Sequence, residues 1–417
     1  MIMAMKESGI EWVGLIPDDW KIAKNNRLFN ISKQLVNENW KNTQLLSLTK
    51  SGIIEKNIND GGGKQPESFG TYQYVEKDDI VLCLFDIDVS AVFSDRSKYD
   101  GMISPAYRVM KCTDAILPVY AKWWFDAVNI GRYYLIYTKS LRKTIDADGF
   151  GNILTVVPPL SEQQAIADYL DETCSKIDEI IAEANASVEE YKELKQSVID
   201  NATMTGIHDS EMKNTDYVWF PEMPKSWDLV LASLLFREDV RPVDANDVSL
   251  SLSQVDGLIP TDDMSERSLK SATHDNWKHV IPDDLVLNRF KGHLGVFFAS
   301  KYTGMVSFHY GVYHAIRDDV YAKYYEYLFH STTYKNIFAL KSNGITVGLQ
   351  NLSNGNFYSV KILHPTLDEQ IEIVKYLDKR IAEIDSLIAE KESLINDLEA
   401  YKKSLIYEVV TGKRRVV

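Results

Sequence analysis

Cysteine is scarce in this chain. Three residues in 417, Cys83, Cys112 and Cys174, lie far apart with no CxxC pair among them. That spacing excludes a disulfide framework and a zinc knuckle and leaves buried or incidental thiols. All eight histidines lie beyond residue 207, and His309 and His314 are five apart with no glutamate between them, so the zinc-protease pattern is missing too. Long apolar runs are also absent. None approaches the 18 residues of a membrane span, and Met1 to Lys6 lacks a signal-peptide core, so the expected location is the cytoplasm, with no membrane contact.

Catalytic signatures are equally thin. Pro17-Asp18-Asp19-Trp20-Lys21 has the letters of a nuclease site, but those normally come from separate strands and here share one turn. The run Gly61-Gly62-Gly63-Lys64 lacks the spacing of a phosphate loop and its following Ser or Thr. The net charge of −14 counts at first against a nucleic-acid partner, because phosphate contacts need Lys and Arg. Its distribution weakens that objection. Residues 1–158 carry 19 basic and 19 acidic side chains, whereas residues 159–210 carry 3 and 12. Most of the acid sits in one segment, expected to face solvent or a partner with Glu179, Glu183 and Glu190, and the remainder is free to be basic on one face.

What the chain does have is a repeat. Ile166, Leu170, Ile177, Ile181, Val188, Tyr191, Leu194 and Val198 recur 207 residues later as Ile373, Leu377, Ile384, Ile388, Ile395, Leu398, Tyr401 and Leu405. The three-and-four spacing places each set on one stripe of a helix. Each copy opens on a helix start, Ser161-Glu162 or Asp368-Glu369, and closes on a Thr-Gly stop. About 45 residues at 1.5 Å each make a rod of roughly 65 to 70 Å. Such a rod cannot bury its own stripe, so the expected partner is the other copy, in an antiparallel coiled coil.

The segments before the helices repeat as well. Trp12, Pro17, Trp20 and Arg27-Leu28-Phe29 match Trp219, Pro224, Trp227 and Leu234-Leu235-Phe236. Asp78 to Leu82 matches Asp283 to Leu287, and Ser97 to Ser104 matches Ser300 to Ser307. Short strands mixed with helical stretches, Pro118 to Ile130 and Tyr321 to Leu340, predict an α+β fold built twice. The expected segments are a domain over 1–158, a helical spacer over 159–206, a second domain over 207–366 and a second spacer over 367–417, with polar residues 207–215 as linker. Three function classes fit this layout: a DNA-recognition protein, a scaffold that binds protein, and an enzyme with an unrecognised site.

One family has this order of motifs. Pro159-Leu160-x-Glu162-Gln163, Ile177-Asp178, Ile384-Asp385, Ser404-Leu405-Ile406 with Thr411-Gly412-Lys413, and Ile16-Pro17-x-x-Trp20 resemble the specificity subunit of type I restriction-modification systems over essentially the whole chain. The second helix entry departs from it, with Pro365-Thr366-Leu367 where a double proline is usual, and Met204 belongs to a one-residue insertion before the first Thr-Gly. The resemblance implies two target-recognition domains that each read half of a split double-stranded DNA sequence, related by a pseudo-two-fold axis. It implies no catalysis and no cofactor on this chain. S-adenosylmethionine, ATP and Mg would sit on partners: two modification subunits that methylate adenine and two restriction subunits that translocate and cut.

Residue expectations follow. For DNA they are Lys64, Arg96, Lys98, Tyr99, Arg142, Lys143, Lys278, Arg289, Lys291, Lys301, Tyr302 and Lys341. For partner subunits and the spacer they are Glu162, Gln163, Ile177, Asp178, Glu369, Gln370, Ile384 and Asp385. The sharpest concerns the loop Leu287 to His293, where Arg289 and Lys291 alternate with Phe290: Arg289 on a guanine edge and Lys291 on a phosphate, against the plainer reading of a solvated turn. The first domain offers Leu84-Phe85-Asp86-Ile87-Asp88 at the matching place, acidic where this loop is basic.

Overall fold

A computed structural model of the chain describes residues 4–32, 34–58, 68–89, 93–138, 143–253, 257–264, 276–342 and 351–416. The chain forms two compact units. The first comprises Met1–Asn185 with Ser393–Val417, the second Ala186–Glu392. Both boundaries fall inside long helices, Leu160–Thr205 and Leu367–Val410, not at the helix ends that the four-segment reading used. Each unit gathers the start of one helix and the end of the other.

The helix ends form as their sequences require. At the second, Thr366 and Glu369 make a reciprocal capping box: Thr366 N donates to Glu369 Oε2 at 3.0 Å, and Glu369 N donates to Thr366 Oγ1 at 3.3 Å. Threonine in place of the second proline therefore supplies a cap. Both helices stop at a left-handed glycine, Gly206 at φ +80° and Gly412 at φ +74°. Within each unit the helix segments run antiparallel. In the first, Glu162 pairs with Arg415 at 2.8 Å and Asp178 with Lys402 at 2.5 Å; in the second, Lys195 pairs with Asp385 at 2.7 Å and His208 with Glu372 at 3.0 Å. Partner numbers fall on one helix as they rise on the other.

Each unit carries the same sheets. In the first, an antiparallel sheet runs in the order Phe29–Ile31, Arg108–Cys112, Ile80–Leu82, Ser94–Arg96; in the second the order is Phe236–Glu238, Tyr310–Ala315, Leu285–Asn288, Phe297–Ala299. A second sheet is mixed. Leu45–Thr49 lies parallel to Gly101–Ile103 in one unit, and Val248–Ser253 lies parallel to Gly304–Val306 in the other. The continuous apolar run that buries Ile80, Val81 and Leu82 completely is repeated in Leu285, Val286 and Leu287.

Two sequence expectations change. Residues 207–215 do not all form a linker, because Met212–Tyr217 is a strand paired with Phe220–Pro224, the counterpart of the hairpin Met5–Glu7 with Leu15–Pro17. Its residues alternate between exposed and half-buried, and so look uniformly polar. The Tyr321 to Leu340 stretch is two helices, Ala322–Phe329 and Thr332–Lys341, divided at Ser331, whose hydroxyl caps the second by accepting from Tyr334 N. Pro118–Ile130 is a single helix, as expected.

The two glycine stops give a paired test. A Cβ on Gly412 would lie 2.4 Å from Pro17 Cδ, whereas one on Gly206 meets only Trp227 Cζ2 at 3.4 Å. Gly206→Ala is expected to cost about 1 kcal/mol from its left-handed backbone alone, and Gly412→Ala a further 1 to 3 kcal/mol or so from the added overlap. Denaturant unfolding of both variants checks the order, and equal losses would count against it.

Candidate nucleic-acid interface

The helix-entry residues dock each helix onto its own unit. Trp20, buried, donates its indole N–H to Glu162 Oε2 at 3.0 Å, and Trp227 donates to Glu369 Oε1 at 3.3 Å. Gln163 is fully buried, accepts from Leu117 N at 2.7 Å and donates to Ala115 O and Pro158 O. Gln370 repeats this, accepting from Tyr321 N at 2.8 Å and donating to Asp319 O and Pro365 O. Ile177 and Ile384 are buried, and the neighbouring Asp178 and Asp385 hold Lys402 and Lys195. These residues thus hold the helical spacer through contacts within the chain.

Further clamps escaped the sequence reading. Trp123 donates to Asp171 at 2.9 Å and Tyr327 to Asp378 at 2.5 Å. Tyr120 donates to Val410 O at the end of one helix, and Tyr324 to Thr203 O at the end of the other. Asp171 and Asp378, like Lys195 and Lys402, are 207 apart. Extending the repeat from apolar to polar positions would have found them.

Two of the expected DNA contacts face inward. Lys278 is 6% exposed, and its ammonium donates to Glu238 at 2.7 Å and to Tyr310 O at 2.6 Å. The guanidinium of Arg289 donates to Glu238 at 2.5 Å and to Asn354 Oδ1 at 2.8 Å. Burial opposes charge on Glu238, but hydrogen bonds from Lys278 and Asn354 and the charge of Arg289 outweigh it and hold the carboxyl below its usual range. Glu238 and Asn354 engage one nitrogen of this partly covered fork, which gives Arg289 a structural role in place of the expected guanine contact. The internal copy held the signal: Arg289 aligns with buried Leu84, and Lys278 with buried Gln73, which bonds Tyr107 O where Lys278 bonds Tyr310 O.

Other positions do reach the surface. Ser97 and Ser300, both buried, fold two equivalent turns by donating to Tyr99 O at 2.6 Å and Tyr302 O at 2.7 Å. Each turn thereby holds out an exposed lysine and tyrosine, Lys98 with Tyr99 and Lys301 with Tyr302. Lys143 and Lys291 are exposed as well. Arg96 is partly covered and pairs with Asp78 at 3.3 Å, and Lys341 donates to Ser359. Lys64 and Arg142 lie outside the described residues. Lys98 also lines a cleft of about 380 Å³ against Asp171, Cys174 and Asp178 of the first long helix, within the first unit. Lys98 and Lys301, open to a phosphate, thus sit on turns whose backbone the repeat fixes.

Because Arg289 is built into the unit, Arg289→Ala is expected to lower the unfolding free energy by about 1 to 3 kcal/mol, less than a fully orphaned buried charge because Lys278 still pairs Glu238. Gln163→Leu and Gln370→Leu, which strand three backbone groups each, are expected to cost about 2 to 4 kcal/mol. Urea titration of the three variants measures these losses. Wild-type stability for Arg289→Ala would return that residue to the surface.

Residues 261–397 match the family model of the type I restriction modification DNA specificity domain. No curated protein sequence matches the chain. Among solved structures, a chain from work on complex assembly and conformational transition of the type I R-M system superposes with a TM-score of 0.69 at 13% identity, covering 96% of this chain and 99% of that one. The HsdS subunit from Thermoanaerobacter tengcongensis gives 0.53 at 12% identity, covering 96% and 98%. At that identity the likeness establishes the fold alone: the chain has the fold of an HsdS subunit, and within it residues 261–397 are similar to a type I restriction modification DNA specificity domain.

Proposed function

We propose that this chain is the specificity subunit of a type I restriction-modification complex, in which each unit reads one half of a split DNA target. The observation that carries the reading is the doubled fold: two units with the same strand order, each presenting the same lysine-tyrosine turn, while the side chains around those turns diverge. A shared scaffold with different loops suits the reading of two different half-sites. On this reading the chain itself catalyses nothing. Two modification subunits carry S-adenosylmethionine and methylate adenine, two restriction subunits with ATP and Mg can join them, and the assembly works in the cytoplasm.

The deciding experiment is methylome sequencing of cells with and without this chain beside its modification subunit. A methylated adenine in a two-part motif that vanishes with the chain supports the reading, and an unchanged methylome removes it. Labelled S-adenosylmethionine crosslinking to this chain alone would mark it as an enzyme instead.

The helices are expected to set the distance between half-sites. Asp178 with Lys402 and Lys195 with Asp385 fix a register in which an insertion after Ala184 lies opposite one after Ile395. Inserting four residues at both places adds about 6 Å of rise and about 40° of phase. The half-site bases are expected to stay the same while their spacing changes or binding is lost, and an unchanged spacer at full activity would show that the helices do not measure it.

A further inference from the structure

The turn before the Tyr310–Ala315 strand closes like its counterpart in the first unit: Tyr310 N donates to Ser307 O at 3.0 Å, and Tyr107 N to Ser104 O at 3.1 Å. Between those ends the first unit has Pro105 and Ala106, ordinary choices for the middle of a tight turn. The second unit has Phe308 and His309. Phe308 is 52% exposed, and its ring lies 3.8 Å from the imidazole of His309. Phe290, 39% exposed, approaches the same imidazole at 5.1 Å, and the next residue, Lys291, is an exposed cation. The fold does not require these rings, since the internal copy makes the same turn without them. Clustered exposed rings beside a cation are binding chemistry, and they lie within residues 261–397, the stretch that matches a DNA specificity domain.

We propose that Phe308, His309 and Phe290 form an apolar ridge that contacts thymine methyl groups in the major groove of the second unit's half-site, with Lys291 on a neighbouring phosphate. The inference rests on the reading of the chain as a DNA specificity subunit. Insertion between base pairs is the other use of such rings, but three rings packed on one another are thicker than the rise of about 3.4 Å between bases on a strand. The ridge therefore lies along the groove.

The test uses the full chain assembled with its modification subunits, above neutral pH, on target duplexes in which thymines are replaced singly by uracil. Uracil lacks only the methyl group. At one or two positions of the second half-site, uracil should weaken wild-type binding about three- to tenfold, the scale of a lost methyl contact. The double variant Phe308→Pro with His309→Ala installs the pair with which the first unit already folds. It should lose a similar factor on the thymine duplex, ignore uracil at those positions, keep the wild-type salt slope and keep its unfolding midpoint. Wild-type affinity and uracil response in that variant would overturn the inference, as would an equal loss on every duplex or, on wild-type binding, a base-unstacking signal from 2-aminopurine placed beside those thymines and away from the methylated adenine, which a methyltransferase itself unstacks. If the wild-type assembly does not prefer its target to a scrambled duplex, the specificity reading itself fails, which is a separate result.

Discussion

An amphipathic helix of more than forty residues must have its apolar stripe covered, and the rest of this architecture follows from that constraint. Towards the helix ends the stripe is covered by the reversed stripe of the other helix and by the sheet-bearing domain, so that Ile166, Leu170 and Ile177 share a core with Leu405, Ile406 and Val409, while Leu194 and Tyr401 stay exposed. Burial of each such side chain is worth about 1.5 to 3 kcal/mol, whereas an exposed ion pair contributes about 0 to 1 kcal/mol. Asp178 with Lys402 and Asp385 with Lys195 therefore do little for stability. Their use is register, because the 207-residue offset carries Asp178 onto Asp385 and Lys195 onto Lys402, so that each helix donates in one pair and accepts in the other.

The two units show how far side-chain chemistry can change on one backbone plan. In the second, Glu238, Arg289, Lys278 and Asn354 form a hydrogen-bonded ionic cluster between strand, loop and short helix. The aligned residues of the first unit are Ile31, Leu84, Gln73 and Ala147, mostly apolar. Replacing a buried ionic cluster by apolar groups of similar volume is often neutral for stability, while removing a single member is costly. Divergence at such a place must change the set together, which explains why one half carries all of the cluster and the other none.

Much of this was legible in the sequence, and the reason is periodicity. The helices were read within a residue or so at their ends, because a stripe repeated at a fixed offset constrains start, face and stop at once. Pro118–Ile130 was read as a helical stretch, whereas Tyr321 to Leu340 proved to be two. What failed were side chains judged singly. Arg289 and Lys278 look like DNA contacts because their partner Glu238 lies 51 and 40 residues away, where no local pattern connects them. The hairpin strand Met212–Tyr217 was missed because an edge strand with polar residues on its half-buried face carries no apolar alternation.

The way each unit borrows the end of a distant helix bears on how the chain is made. The first unit's core includes Leu405 and Val410, and Lys413 donates to Val13 O at 2.5 Å, 400 residues away in the sequence. At about 5 to 20 residues per second, the ribosome needs roughly 10 to 50 s after residue 185 to supply residues 393–417. Throughout that interval the nascent first unit has an unfilled groove lined by Ile166, Leu170 and Tyr120. A chain cut short anywhere in its second half therefore leaves an apolar surface of the first unit open.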